Sequence, residues 1–139
     1  MNSRLIVSSV IEKGDFLLFG KKRKNIGPYP NTWHLIGGGV ELGKESCKEA
    51  MLREIKEEAG IKVRIIKPIS FDEDYEKDKH GVLTHYVFLV YKAKYLSGKI
   101  KADDDIKQLR WFPKSQLKKI KLNKPSKRLF KLMSYLKSK

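Results

Sequence analysis

The sequence predicts an α/β fold in a single domain over 1–139, with a mixed β-sheet between helices. Three observations carry this reading. Two apolar, strand-like segments open the chain and are joined at Lys13-Gly14-Asp15. An acid-rich amphipathic helix over Cys47 to Ala59 is entered through Gly37-Gly38-Gly39 and stopped at Gly60. Further strand runs and a basic closing helix follow. Strands interleaved with helices in this order need helical layers to cover the sheet. A chain of this length buries about two-thirds of its unfolded surface, enough for one core.

Leu5 to Glu12 is apolar and β-branched and reads as a buried strand. Phe16 to Lys21 is its returning partner in a hairpin. The basic run Lys21-Lys22-Arg23-Lys24 follows. Gly27, Pro28 and Pro30 mark a loop, after which Trp33, His34 and Leu35 lead to a glycine loop at Gly37-Gly38-Gly39. Within the helix, Met51, Leu52, Ile55 and Ala59 share an apolar arc at 100° per residue, with Gly60 as a left-handed cap. Lys62 to Ile66 reads as a strand interrupted at Pro68, and Ile69 to Phe71 as its continuation. Asp72 to Gly81 reads as a charged hairpin loop, and Val82 to Tyr95 as a central strand. Leu109 to Pro113 is a late strand, Pro113 to Ile120 a short helix, and Pro125 to Leu136 the closing basic helix. Leu129, Leu132, Met133 and Leu136 have core-facing spacing in it.

The central helix carries the chemistry. Glu54, Glu57 and Glu58 fall on one arc within about 100° of each other. Three clustered carboxylates repel one another at neutral pH unless a cation sits among them. Donors that are all oxygen suit Mg²⁺ or Mn²⁺ and not Zn²⁺. The neighbouring glycines let backbone pass close and offer a carbonyl to the same ion. The competing reading is a solvated helix face laced with Glu/Arg/Lys pairs, which explains the acids but not the glycines before them.

Gly39, Glu45, Arg53, Glu54, Ile55, Glu57, Glu58, Gly60 and Ile61 stand at the spacing of the Nudix hydrolase signature, over 39–61, with no departure. The chain therefore resembles the Nudix (MutT-like) hydrolases. Ile36 replaces the proline usual before the glycines. The resemblance implies an α/β/α sandwich and metal-dependent cleavage of a pyrophosphate bond in nucleoside diphosphate derivatives. It implies Mg²⁺, with Mn²⁺ as the alternative, held by Glu54, Glu57, Glu58 and the Gly39 carbonyl. It implies that Arg53, partnered by Glu45, orients Glu54, itself a candidate base. An acid before the late strand, Asp104 or Asp105, completes the metal site or acts as base in many relatives. Lys21 or Arg23 is the expected phosphate contact, and Trp33 is expected to pack under the glycine loop.

For the substrate, the flank around Trp33 and Leu122-Asn123 is similar to bacterial Nudix nucleoside triphosphatases that favour pyrimidine deoxynucleotides. Thr84 to Tyr91 is similar to the GDP-mannose mannosyl hydrolase branch, but every acid of the signature is present, which favours attack at phosphorus. ADP-ribose and other nucleotide sugars stay open. Family members are often homodimers, so a homodimer is an open expectation.

The net charge of +15 points to polyanionic partners such as nucleotides, nucleic acid or acidic surfaces, or simply to a soluble lysine-rich surface. Ten Lys/Arg and no acid lie between Lys114 and Lys139. RNA gripped by its backbone, or cleaved at its 5′ end, is the alternative to a small nucleotide. The apolar runs are too short for a membrane span, and the N-terminus does not read as a signal peptide. The single cysteine, Cys47, fits core packing and a reducing compartment, hence an expected cytoplasmic location.

Overall fold

The computed structural model describes residues 1–22, 29, 31–102 and 106–133. Strands β1 (Asn2–Lys13), β2 (Phe16–Lys22), β3 (Trp33–His34), β4 (Ile36–Gly39), β5 (Lys62–Lys77), β6 (Leu83–Ser97) and β7 (Ile106–Pro113) form one sheet. Helices α1 (Cys47–Ala59) and α2 (Lys124–Leu132) flank it, with a 3₁₀ helix over Lys114–Lys119. The main path runs β3-β2-β1-β6-β5, with β4 paired to β1 and β7 to β2. Pairing of β1 with β6 is parallel and the other strand pairs are antiparallel, so the sheet is mixed as expected.

Alternation along β1 divides the core. Val7 and Ile11 face α1, where they join Met51, Ile55 and Ala59, all essentially buried. Each large aliphatic side chain buried there contributes roughly 1.5–3 kcal/mol. On the opposite face Val10, Phe19, Phe112, Leu117, Leu129 and Phe130 build a second core under the 3₁₀ helix and α2. Phe19 meets Phe112 edge-on at 5.8 Å, a favoured aromatic geometry. Two cores on the two faces make the α/β/α sandwich.

Helix α1 starts where the sequence dictates. The Ser46 hydroxyl accepts from the Glu49 N–H and the Glu49 carboxylate accepts from the Ser46 N–H, a reciprocal capping box. Gly60, at φ 70°, closes it. Helix α2 is capped by the Asn123 side chain, which accepts from the Ser126 N–H at 3.0 Å.

Several expectations are corrected. Gly37, Gly38 and Gly39 form a strand and not a loop; they pair with Ser8, Val7 and Ile6 of β1, and Gly37 is pressed directly on Val7 and Ser8. The segment Asp72–Lys77 extends β5 instead of looping. Pro68 is tolerated because β5 is an edge strand with register shifts on either side of it. The acids of this extension point alternately toward α2, which supplies their cations. Leu52 is part-exposed, and Leu132 is 75% exposed and lines a cavity instead of joining the second core. Trp33 packs edge-on against Phe112 at 5.0 Å, in the second core and not under the glycines. Cys47 packs at the margin of the first core. Leu136, and the expected end of the closing helix near 137, lie outside the described residues. No described helix is long and apolar enough to cross a membrane.

Candidate active site

Strand β4 and helix α1 meet at the signature residues. Arg53 is the hub. Its Nε and Nη2 donate to the two Glu45 oxygens at 2.9 and 2.7 Å, a bidentate pairing. Nη2 also donates to the Gly39 carbonyl at 3.1 Å, and Nη1 to Glu54 Oε1 at 3.0 Å and Glu57 Oε2 at 3.2 Å. One guanidinium thus ties the loop before α1, the end of β4 and two helix acids into a rigid unit. Its hydrogen bond to Glu45 raises the Arg53 pKa further above its ordinary value, against the opposing effect of burial. Reciprocally, the Arg53 hydrogen bond and the Glu41 N–H bring Glu45 from 4.5 down to about 2.

Burial separates the three acids into two groups. Glu54 and Glu58, one turn apart, face β4 and are 9% and 4% exposed. Glu58 Oε1 accepts from the Gly37 N–H at 3.1 Å. The Glu54 carboxylate lies over Gly38 so closely that a Cβ there would overlap it. Glu57 lies on the outer side of the arc, its side chain 46% exposed and turned to Arg53. Among the described residues, no three His, Cys, Asp or Glu side chains already converge as a metal centre.

Glu54, Glu58 and the three glycines line a cavity of about 620 Å³ on the sheet face opposite the first core. Arg4, Ile6 and Ser8 of β1 and Tyr86, Phe88 and Val90 of β6 form its floor, side by side in the parallel register. Burial raises the pKa of the Tyr86 phenol, so it stays a neutral donor. Opposite the glutamates the wall is ionic. Arg128 of α2 pairs with Asp72 and Asp74 of β5, and Lys124 with Glu76 at 2.7 Å. Tyr29 donates to Asp74 at 2.7 Å. Burial, then that bond, pushes the Tyr29 phenol well up. Burial acts to raise Asp74, but the Tyr29 hydroxyl and the Tyr75 N–H outweigh it and hold the carboxyl below its ordinary value.

The donors at the cavity's glutamate end are carboxylate and peptide oxygens, a set that fits a hard divalent cation and not a soft one. The predicted residues Gly39, Glu45, Arg53, Glu54, Glu57 and Glu58 are brought together within this one assembly. Lys21 is not: its ammonium lies 5.9 Å from the Trp33 ring centre, away from the residues that line the cavity. Arg23, Asp104 and Asp105 lie outside the described residues. Asp72 and Asp74, read from the sequence as acids of a charged loop, are engaged with Arg128 and Tyr29.

Sequence reasoning passed over Arg4, Tyr29 and Arg128. The alternation of Arg4, Ile6 and Ser8 was the available signal for Arg4. Nothing local announced that β1 and β6 are neighbours across some 80 residues.

Residues 3–133 match the family profile described as NUDIX domain. The chain is 31% identical over 120 residues to an ADP-ribose pyrophosphatase of Methanocaldococcus jannaschii, covering 86% of this chain and 68% of that one. It is 27% identical over 136 residues to the nucleoside triphosphatase NudI of Enterobacter sp. (strain 638), covering 94% and 96%. The fold superposes on a MutT protein from Methanosarcina mazei Go1 with a TM-score of 0.82 at 18% identity, covering 96% and 94% of the two chains. A MutT NUDIX hydrolase from Burkholderia pseudomallei gives 0.78 at 24% identity, covering 92% and 95%.

Proposed function

This chain belongs to the Nudix hydrolase family, and from that premise we propose that it cleaves the phosphoric anhydride of nucleoside triphosphates, releasing monophosphate and pyrophosphate. Pyrimidine deoxynucleotides are the leading substrates. The observation that carries the reading is the pair of buried carboxylates, Glu54 and Glu58, set at one end of a nucleotide-sized cavity beside a fully engaged arginine. Support for the triphosphate comes from the NudI relative, matched over nearly the whole of both chains.

Glu54, Glu57, Glu58 and the Gly39 carbonyl are the proposed holders of Mg²⁺, or Mn²⁺ in its place. When bound, the cation supplies neutralisation of phosphate oxygens and Lewis-acid activation of water. The chain's own residues do the rest. Arg53 holds Glu54 at a set angle through its hydrogen bond, where Glu54 is the proposed acceptor of a proton from the attacking water. Glu45 keeps Arg53 from swinging away. Arg23 and Asp105 keep the roles that the family resemblance of the flanking segments suggests, phosphate contact and a further acid, while Lys21, set beside Trp33 and absent from the cavity lining, is the less favoured phosphate contact of the two basic residues.

A second reading is hydrolysis of a nucleotide sugar such as ADP-ribose, favoured by the pyrophosphatase relative at 31% identity. Product analysis on a panel of dNTPs, NTPs, ADP-ribose and GDP-mannose, with Mg²⁺ and with EDTA, separates the two. Mg²⁺-dependent release of pyrophosphate from a pyrimidine dNTP supports the first reading. Turnover of sugar nucleotides alone replaces it with the second. Turnover of neither, with release of 5′ phosphates from RNA, moves the substrate to nucleic acid.

A further inference from the structure

We propose, resting on that reading, that Arg4 at the start of β1 is a phosphate-binding residue of this site, gripping the substrate's phosphoanhydride from the sheet face opposite α1.

The register places it there. Residues 4, 6 and 8 of β1 share the cavity face, and Ile6 and Ser8 pair with Gly39 and Gly37 of β4. The Arg4 side chain reaches along β1 until its Nη2 lies over Gly39, so close that any Cβ at 39 would displace it. Glu54 meets the adjacent Gly38 in the same way, but from α1 on the other face. Two successive glycines therefore admit a carboxylate from one side of β4 and a guanidinium from the other, and both line one cavity.

The other arginines near the site are engaged, and Lys79, which also lines the cavity, is a point charge on the turn between β5 and β6. Arg53 donates to three carboxylates and a carbonyl. Arg128 is paired with Asp72 and Asp74. The Lys21 ammonium sits by Trp33. Arg4 has no ion pair or side-chain hydrogen bond among the described residues. Its positive field does reach Tyr86 and Asp78, favouring their ionised forms. An exposed arginine is ordinarily solvated surface; this one lies over Gly39 in a cavity that Glu54 and Glu58 also line. A planar guanidinium with its donors unspent suits bidentate capture of phosphate oxygens, which a lysine would hold only as a point charge.

The experiment compares wild type, Arg4→Ala and Arg4→Lys in two measurements. The first is kcat and KM on the best dNTP of the panel with Mg²⁺. The second is calorimetric titration with inorganic triphosphate in EDTA, which needs neither turnover nor metal. For Arg4→Ala, loss of one charge-assisted contact predicts KM and the triphosphate Kd higher by about 10-fold or more. Arg4→Lys should recover part of that loss. The melting temperature should hold within about 2 °C, since no partner is removed. Triphosphate affinity unchanged within twofold in Arg4→Ala overturns the proposal, whether or not the protein turns over a dNTP. Loss of turnover in Glu57→Gln separately tests the hydrolase reading, so failure of one is told apart from failure of the other.

Discussion

Adjacent glycines in β4 should fail in different ways when given a methyl group. At Gly37 an added Cβ would stand 2.7 Å from Ser8 Cα and 2.9 Å from Ser8 Cβ, and nearer still to the Val7 carbonyl oxygen. Backbone cannot swing aside as a side chain can. Restoring ordinary contact at 3.4 Å or more needs β1 and β4 to part by about 1 Å, beyond hydrogen-bond range for the rungs beside it. Overpacking of roughly 1–3 kcal/mol and two rungs at about 1 kcal/mol each give a loss of about 3–5 kcal/mol for Gly37→Ala. For a domain of this size that is a fall of roughly 10–20 °C in melting temperature. At Gly38 the obstacle is the Glu54 carboxylate, with Oε1 2.5 Å from the added Cβ. A side-chain end can move, so the stability cost stays near 1 kcal/mol, much of it the strained Arg53–Glu54 bond. The displaced carboxylate is the proposed metal ligand and base, and a misplacement approaching 1 Å costs on the order of 10²-fold in rate. Thermal melts by circular dichroism and pyrophosphate release from a dNTP measure the two effects. A Gly38→Ala enzyme with wild-type turnover, or a Gly37→Ala protein melting like wild type, would refute this account of β4.

Other outcomes follow from the same geometry. Glu57→Gln should lower turnover by at least about 10²-fold, as expected for a ligand carrying several kcal/mol of transition-state stabilisation. Its fold should be intact by circular dichroism, because the side chain is half-exposed; near-normal turnover would remove Glu57 from the proposed metal site. Excess EDTA should abolish activity and added Mg²⁺ should restore it, whereas full activity in EDTA would end the metal-dependent mechanism. Acid should destabilise the fold through Glu45, whose folded pKa of about 2 lies below its ordinary 4.5. A depressed carboxyl contributes stability fully present above 4.5 and lost as pH falls toward 2. Melting temperature against pH should therefore fall less steeply over that window in Glu45→Gln than in wild type, and parallel curves would count against the Glu45–Arg53 pair as the cause.

The residues that were legible in advance are those whose relationships are local. Glu54, Glu57 and Glu58 are ordered by the pitch of one helix, and Arg53 reaches Glu45 only eight residues before it. The αL Gly60 marks the end of the helix by local chemistry. Strand identity along β1, β2 and β6 was likewise readable from β-branched and aromatic runs. Where reading failed, the deciding partner was distant. The glycines looked like a loop because conformational freedom is their local property, while their role as a flat strand comes from Val7 and Ser8 pressed against them. The run Asp72 to Lys77 looked like solvated loop because its balancing cations, Lys124 and Arg128, arrive some 50 residues later. Leu132 looked like core because helical spacing says nothing of where the neighbouring layer ends.

The sequence by itself determined the family, the acid-bearing helix and the all-oxygen character of the candidate donors, since these rest on residue types at short fixed spacings. Only the tertiary structure decided that Glu57 stands apart from Glu54 and Glu58, that Lys21 faces Trp33, and that Arg4 lies over Gly39. Those facts depend on which strands are neighbours and on which face each side chain emerges. A parallel pairing between segments 82 positions apart sets both, through long-range packing that no local pattern encodes.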